Sequence, residues 1–356
     1  MGFLNRLPAR QDGYYNRNRM WKNKGSDTAA NRRTLVSPSH MLVNIGGAGA
    51  HAYERAAAME LDLNESWVWD TQTPTDYTVA ANRAGKDFYI YALPGSGFNV
   101  VLVLSAATTY PAGYTADNSR KIGGFHCECA NVGTISGHPL TGYLAGDIIP
   151  RSCWDLLHRS AGAQAGMVWA GKTDFDSLTG PKIWVAIYLA SGTGSSTASA
   201  NGAEITDIRS WMDFVDDFAA IGCRMLEDDE FQAIAAGSNE ETNIAGSADP
   251  VTTGGHLNTA GRRMISNIGC EDCCGAMWQW LRTQSYRFDF DPTFAYYDLP
   301  GAKGSLYKQG TYGDVKLLGG GAWNAATNCG SRARDAANYR WNTGSNIGGR
   351  FVAEPH

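Results

Sequence analysis

No apolar run in this sequence approaches the ~18 residues that a membrane-spanning helix needs, so membrane insertion is not expected. Met1-Gly2-Phe3-Leu4 lacks the apolar stretch of a signal peptide. Arg6 stands where an N-acylation site wants Ser or Thr. Serine nucleophile elbows, phosphate loops and the His-Glu-x-x-His zinc motif are missing, which removes the common hydrolase and nucleotide-binding signatures. Charge is modest: Lys, Arg, Asp and Glu make up 18% of the 356 residues and the net charge is −5, a poor balance for a nucleic-acid binder. The sharpest lack is local. Residues 322–346 contain no Lys, Glu, Gln or Met and no Val, Leu, Ile or Phe. Such a segment has little to bury. It reads as a surface held by a scaffold, with a long flexible loop as the alternative.

What is present is glycine (42 residues), tyrosine (16) and tryptophan (11), the composition of a turn-rich, aromatic-rich β or α+β protein. Two or three domains are expected from the length. Residues 1–36 are polar, carry most of the local basic charge and read as an extended assembly arm, with Phe3, Leu4, Leu7, Tyr14, Tyr15 and Trp21 as its packing residues. From residue 37 to 150 short alternating segments follow one another: 41–45, 59–63, 88–91 and 100–104. Each is bounded by Gly, Pro, Asn or Asp, a rhythm that predicts a β-sandwich.

From residue 151 to 356 the pattern is mixed. Met167–Trp169 and Ile183–Tyr188 read as strands. Trp211, Val215 and Phe218 fall at helical spacing, with Asp207 near the start and Gly222 past the end. A second helix is expected over 227–236, with Phe231, Ile234 and Ala235 inward. Its acidic start suits the positive helix terminus better than a calcium loop. Asp216-Asp217 reads as solvated face, and Cys274–Trp280 as a central strand with buried tryptophans.

Eight cysteines include Cys270-Glu-Asp-Cys273-Cys274, half of a zinc site without a matching partner pair; Cys127-Glu-Cys129 has the wrong spacing. Core thiols are the expected reading and no cofactor is expected. A bond from Cys329 to Cys273 or Cys274 stays open.

Asp229-Glu-Phe-Gln-Ala233, Gly275-Ala-Met-Trp278-Gln-Trp280, Gly319-Gly-Gly-Ala-Trp323 and Gly348-Gly-Arg350 occur in this order. The order resembles the C-type-lectin-like fold in its formylglycine-generating-enzyme branch. Within that branch the chain resembles the variable proteins of diversity-generating retroelements, phage tropism determinants among them. Upstream, Tyr114-Thr115, Arg120–His126, Trp154-Asp155, Gly166-Met167 and Ile187–Leu189 extend the resemblance, so that it covers roughly 85–351. Residues 1–36 do not share the family's opening.

Residue patterns and resemblance together give an α+β protein of three parts: an arm (1–36) and a β-sandwich (37–150) read from the residues, and a C-type-lectin-like variable domain (151–356) implied by the resemblance. The resemblance implies a receptor-binding protein at a phage tail-fibre tip, carried in the virion and trimeric. Its partners would be a host-cell surface protein or glycan, and other tail proteins through the arm. In the family, template adenines mutate. An AAC codon altered in its first two bases yields Asn, Asp, Ala, Gly, Ser, Thr, Tyr and others, but never Lys, Glu, Gln, Met or Trp.

By motif position, the resemblance makes Ala322, Asn324, Ala326, Asn328, Asp335, Ala337, Asn338, Asn342, Gly344, Ser345 and Asn346 the ligand-binding variable positions. It makes Trp278, Trp323, Arg332, Trp341 and Arg350 fixed scaffold. Joint replacement of Asn324, Asp335 and Asn338 is then expected to change ligand choice and leave thermal stability alone.

Three other functions compete. An oxidase of the formylglycine-generating type would need a reactive thiol or a metal, and the nearest histidine to Cys329 is His356. A calcium-dependent lectin would need ligand motifs that Trp323-Asn324-Ala325 and Glu354-Pro355-His356 do not complete. A structural fibre or baseplate protein with a decorating lectin-like domain needs nothing further.

Overall fold

The computed structural model describes residues 14–16, 21–46, 51–70, 75–171, 182–287, 295–299, 301–308 and 313–356. The chain divides into two compact units. One takes residues up to 83, 87–125 and 153–158; the other takes 84–86, 126–152 and 159–356. Residues 126–152 thus pack with the C-terminal half of the chain.

In the first unit, β1 (Tyr14–Asn16), β4 (Met41–Ile45) and β5 (His51–Arg55) form one antiparallel sheet. A second joins β2 (Lys22–Asn23), β3 (Thr34–Val36) and β6 (Glu60–Asp62). A third has the order β10-β9-β7-β8, built from β7 (Asp87–Pro94), β8 (Val100–Ser105), β9 (Arg120–His126) and β10 (Trp154–Asp155). Three small sheets stand in place of the two-layer sandwich expected over 37–150. The strands themselves fall close to the alternating segments; which strand pairs with which depends on long-range register, and alternation does not carry that.

The arm also differs from the expectation. Residues 14–16, 22–23 and 34–36 are strands within two of these sheets, and Trp21 is buried. Phe3, Leu4 and Leu7 lie outside the described residues. Trp21 and Trp154 explain the paired glycines of β9. A Cβ on Gly123 would come within 2.6 Å of Trp21 Nε1, and one on Gly124 within 2.7 Å of Trp154 Nε1. Two indoles cross the strand there, and only glycine leaves room.

The second unit carries a sheet of order β11-β12-β20-β13: β11 (Met167–Trp169), β12 (Trp184–Ala186), β13 (Arg224–Met225) and β20 (Phe351–Ala353). A six-stranded sheet has the order β15-β16-β18-β17-β14-β19. Its strands are β14 (Trp278–Arg287), β15 (Ala295–Asp298), β16 (Ser305–Lys308), β17 (Gly313–Gly320), β18 (Gly330–Asn338) and β19 (Ile347–Gly348). Mixed helix and strand, with strand dominant, is the expected class.

Both expected helices form. The first (Trp211–Ala220) starts at Ser210 rather than near Asp207. Ser210 and Asp213 cap each other reciprocally, which satisfies two of the N–H groups that every helix start leaves unpaired. Its buried face is Phe214, Asp217 and Phe218, while Val215 is exposed, so the stripe lies about one residue off the Trp211–Val215–Phe218 register. Asp217 is not solvated face. It is buried, takes a forked pair from Arg209 at 2.8 and 3.0 Å and accepts from Gly194 N at 2.7 Å.

The second helix (Asp228–Ile234) buries Phe231 and Ile234. Its acidic start is engaged by arginines: Glu230 pairs with Arg224, and Asp228 with Arg334. Cys270, Cys273 and Cys274 pack with Phe231, Ile234, Leu281 and Val352 as ordinary core. None of the eight cysteines is in a disulfide.

Candidate ligand-binding surface

The 322–346 segment is held at both ends and in the middle. Three glycines lead into it. Gly320 and Gly321 sit at φ +93° and +87°, and a Cβ would come within 2.3 Å of the Cys273 carbonyl and 2.7 Å of Cys329 Sγ. Gly319 lies flat on the Phe231 ring. The chain then crosses to residue 276, where Ala322 bridges Ala276 and Trp323 N donates to the Ala276 carbonyl at 2.8 Å.

After a short turn, β18 enters the sheet between β16 and β17. Arg334 pins it. Its guanidinium donates to Asp228, to the Ser331 carbonyl (3.1 Å) and to the Ala333 carbonyl (2.7 Å), and lies 4.9 Å over Phe231. The last stretch, 339–346, docks by its own carbonyls. Arg340 O accepts from Trp211 N (3.0 Å), Gly344 O from Ile208 N (3.2 Å) and Asn346 O from Trp278 N (2.9 Å). A backbone tied this often is a frame for side chains.

Among the candidate positions, Asn324, Ala326 and Ser345 are exposed. Asn328, Ala337, Asn338, Asn342, Gly344 and Asn346 are half-buried. Two do not belong to a surface. Ala322 is wholly buried at its bridge to Ala276, and Asp335 is only 8% exposed. For Asp335 the reason is the strand: β18 is flanked on both sides, so its middle residues are covered. Ala326 holds φ +49°, a left-handed conformation that Asn and Gly adopt more easily than Ala. Either residue would fit there without moving the backbone.

The scaffold group divides too. Trp278 is buried, and Trp323 packs partly buried against Leu189, Met264 and Met277. Arg350 is completely buried. Arg332 and Trp341 depart from the assignment. Arg332 is exposed, and among the described residues its guanidinium holds no loop carbonyl; Arg334, two residues on, takes that role. Trp341 is 62% exposed and stacks on Tyr339, with rings 8° apart and centroids 5.0 Å apart.

Sequence reasoning missed a second aromatic group. Tyr296 and Tyr307 face each other across the β15–β16 pair, with rings 4.7 Å apart. Tyr307 in turn lies opposite Asp335. Directly paired residues share a sheet face, so these two rings and the Asp335 carboxyl are neighbours. The signal for this hairpin was Tyr296-Tyr297 and Leu306-Tyr307 on either side of Pro300-Gly301.

Burial pushes the Asp335 carboxyl up to about 6, against hydrogen bonds from Ala337 N (2.8 Å) and Asn338 that lower it. The folded protein therefore holds this proton more tightly than the unfolded chain does. The stability linked to it is complete below the ordinary carboxylate value of 3.8, is lost as pH rises through about 6, and stays lost above. We expect Asp335→Asn to stabilise the protein by about 2–3 kcal/mol at pH 7.5 and by almost nothing at pH 4, since a tenfold change in proton affinity corresponds to about 1.4 kcal/mol. Thermal melts across that range check it; an equal effect at both pH values would sink the assignment. The joint replacement of Asn324, Asp335 and Asn338 is accordingly not stability-neutral.

The thiol of Cys329 sits beside this surface, and burial pushes its pKa up to about 12. An oxidase cysteine needs the opposite shift.

Comparisons with known proteins point one way. Residues 32–155 match the family model described as the Mtd second domain. The tail fiber receptor-binding protein of Bordetella phage BPP-1 is 28% identical over 275 residues, which is 73% of this chain and 68% of that protein. Among solved structures, the Major Tropism Determinant U1 and I1 variants align with TM-scores of 0.68 and 0.69 at 22% identity, covering 97% of this chain and 86% of theirs. The chain is Mtd-like, and the shared fold reaches well beyond the 85–351 stretch that carries the motifs.

Proposed function

We propose that this chain is a receptor-binding protein of a phage tail fibre. It recognises a host-surface ligand through the 322–346 surface and performs no catalysis. The observation that supports this best is the frame itself. The Arg340 and Gly344 carbonyls are tied to the 208–211 stretch and the Asn346 carbonyl to the start of β14, while Asn324, Ala326, Trp341 and Ser345 are exposed. Side chains on such a frame can be exchanged without refolding, as a diversified surface requires. The relative's printed name, a tail fiber receptor-binding protein, points to the same role.

A surface made mostly of small polar residues binds weakly per copy. We therefore propose a homotrimer, whose three surfaces raise the effective concentration. Residues 1–36 would join it to other tail proteins.

The test uses purified protein on a panel of candidate host cells. Changing Asn324, Ala326, Asn342 and Ser345 together should abolish or redirect binding while the melting temperature moves by no more than ~2 °C, as surface substitutions do. Undiminished binding places the adhesive site elsewhere. A collapse of the melting transition makes the segment core.

A further inference from the structure

Beside the start of β18 lies a cleft of ≈ 490 Å³, inside the size range of small-molecule sites. Its walls include Ser136, His138, Asn239, Glu240, Arg262 and Asn267, and no Phe, Tyr or Trp. None of them belongs to 322–346. The cleft adjoins that segment through Glu240, whose carboxylate accepts from Ser331 N at 3.0 Å.

The charges in this cleft are unevenly satisfied. Glu240 is occupied on the β18 side, with Ser331 N on one oxygen and Lys303 Nζ 3.5 Å from the other. Arg262 is half-buried and has no carboxylate at ion-pair distance among the described residues. It donates to two carbonyls, Gly237 O and Arg263 O. A guanidinium carries five N–H donors, so three are left. Burial lowers its pKa, and the Glu240 charge offsets this only in part. His138 brings no negative charge, and burial, then the Arg262 charge, push its pKa down. Two amides complete the wall. Asn239 is 2% exposed and its Oδ1 has no hydrogen-bond partner. Asn267 lies against Gly237, whose missing side chain makes the space: a Cβ there would fall on Asn267 Oδ1.

We propose that this cleft binds an acidic sugar, with Arg262 taking the carboxylate through its free donors and Asn239 and Asn267 taking hydroxyl or acetamido groups. A planar fork with donors to spare suits a carboxylate. A polar wall without Phe, Tyr or Trp suits a hydroxylated molecule rather than a flat apolar one. As a subsite for cell-surface glycan it rests on the receptor-binding reading, but the site itself can be read without cells.

The full chain is titrated with glucuronate, N-acetylneuraminate and glucose by calorimetry, at low and at moderate salt. We expect saturable binding of at least one acidic sugar, at least tenfold weaker binding of glucose, and loss of affinity with added salt. Arg262→Gln should weaken acidic-sugar binding at least tenfold. Because Arg262 also holds the Gly237 carbonyl, Asn267→Asp is the second variant: it puts a negative charge on the facing wall, leaves that contact alone, and should weaken binding as much. Trp341→Ala should leave this titration unchanged, so a failure of the 322–346 surface and a failure of the cleft are read separately. No saturable binding of either acid, equal binding of glucose, or full affinity in both cleft variants overturns the proposal.

Discussion

Replacing Trp341 with alanine should weaken binding to host cells about thirtyfold or more, with a stability change within ~0.5 kcal/mol. At 62% exposure the indole is the most exposed aromatic side chain among the described residues, and its stacking partner is the nearby Tyr339. Nothing in the core depends on it. Binding surfaces concentrate their energy in a few Trp, Tyr and Arg residues, and truncating one typically costs ≥ 2 kcal/mol, which is about thirtyfold in affinity. The surrounding Asn, Ala, Ser and Thr offer too little area to compensate.

The diversification scheme implied by the resemblance favours the same residue. Tryptophan is not reachable from AAC by changing the first two bases. A fixed aromatic anchor with exchangeable neighbours would then supply strength, and the neighbours would supply choice. Trp341→Phe should retain most of the binding, since the ring still stacks. Sedimentation of both variants guards against the other explanation, that the indole buries itself between copies of the chain. A change of oligomeric state together with lost binding would favour that one. Unchanged binding by Trp341→Ala would remove Trp341 from the ligand surface.

Much of this architecture is legible from local pattern. The strands at 41–45, 100–105 and 167–169 lie close to where local pattern puts them, and both helices form within a few residues of their expected positions, the first starting at Ser210. Pairing is not legible. Whether the first unit forms two sheets or three depends on contacts far apart in sequence, and the arm reads as irregular because its strands run for only two or three residues.

At the site, residue type misleads in a consistent way. Small polar residues suggest exposure and tryptophan suggests burial. Asp335 is covered because β18 has neighbours on both sides, and Trp341 is exposed because the 339–346 stretch docks by its carbonyls rather than its side chains. The roles of Arg332 and Arg334 are exchanged for a similar reason. Two arginines two apart on a strand share a face, so alternation cannot separate them; the bulged register between β17 and β18 does.

Arg350→Met should cost about 3–5 kcal/mol, the largest destabilisation expected for a single side chain here. Arg350 is fully buried, and among the described residues no carboxylate lies at ion-pair distance from it. Its guanidinium donates to Gln279 Oε1 (3.0 Å) and to the carbonyls of Ala186 (2.7 Å), Ile187 (2.6 Å) and Glu271 (2.5 Å). These acceptors come from three separate stretches: the end of β12, the 270–274 turn and β14. Gln279 passes the network on, donating from Nε2 to Cys273 O at 2.9 Å.

A buried ion pair can sometimes be exchanged for apolar residues without loss, because both charges leave together. Here only the donor leaves. Ile187 O keeps the Glu271 amide at 2.8 Å, while the other acceptors lose their guanidinium donor inside the core, and each unsatisfied acceptor costs about 1–3 kcal/mol before relaxation. Arg350→Lys should recover only part, since one ammonium cannot span four acceptors set out for a fork. Urea denaturation of the three proteins measures this, with the slope checked for constancy. A loss under ~1 kcal/mol for the methionine variant would mean that the network is decorative. The expected loss would make Arg350 the tie that holds β14 in place, and with β14 the Trp278 amide on which the ligand surface docks.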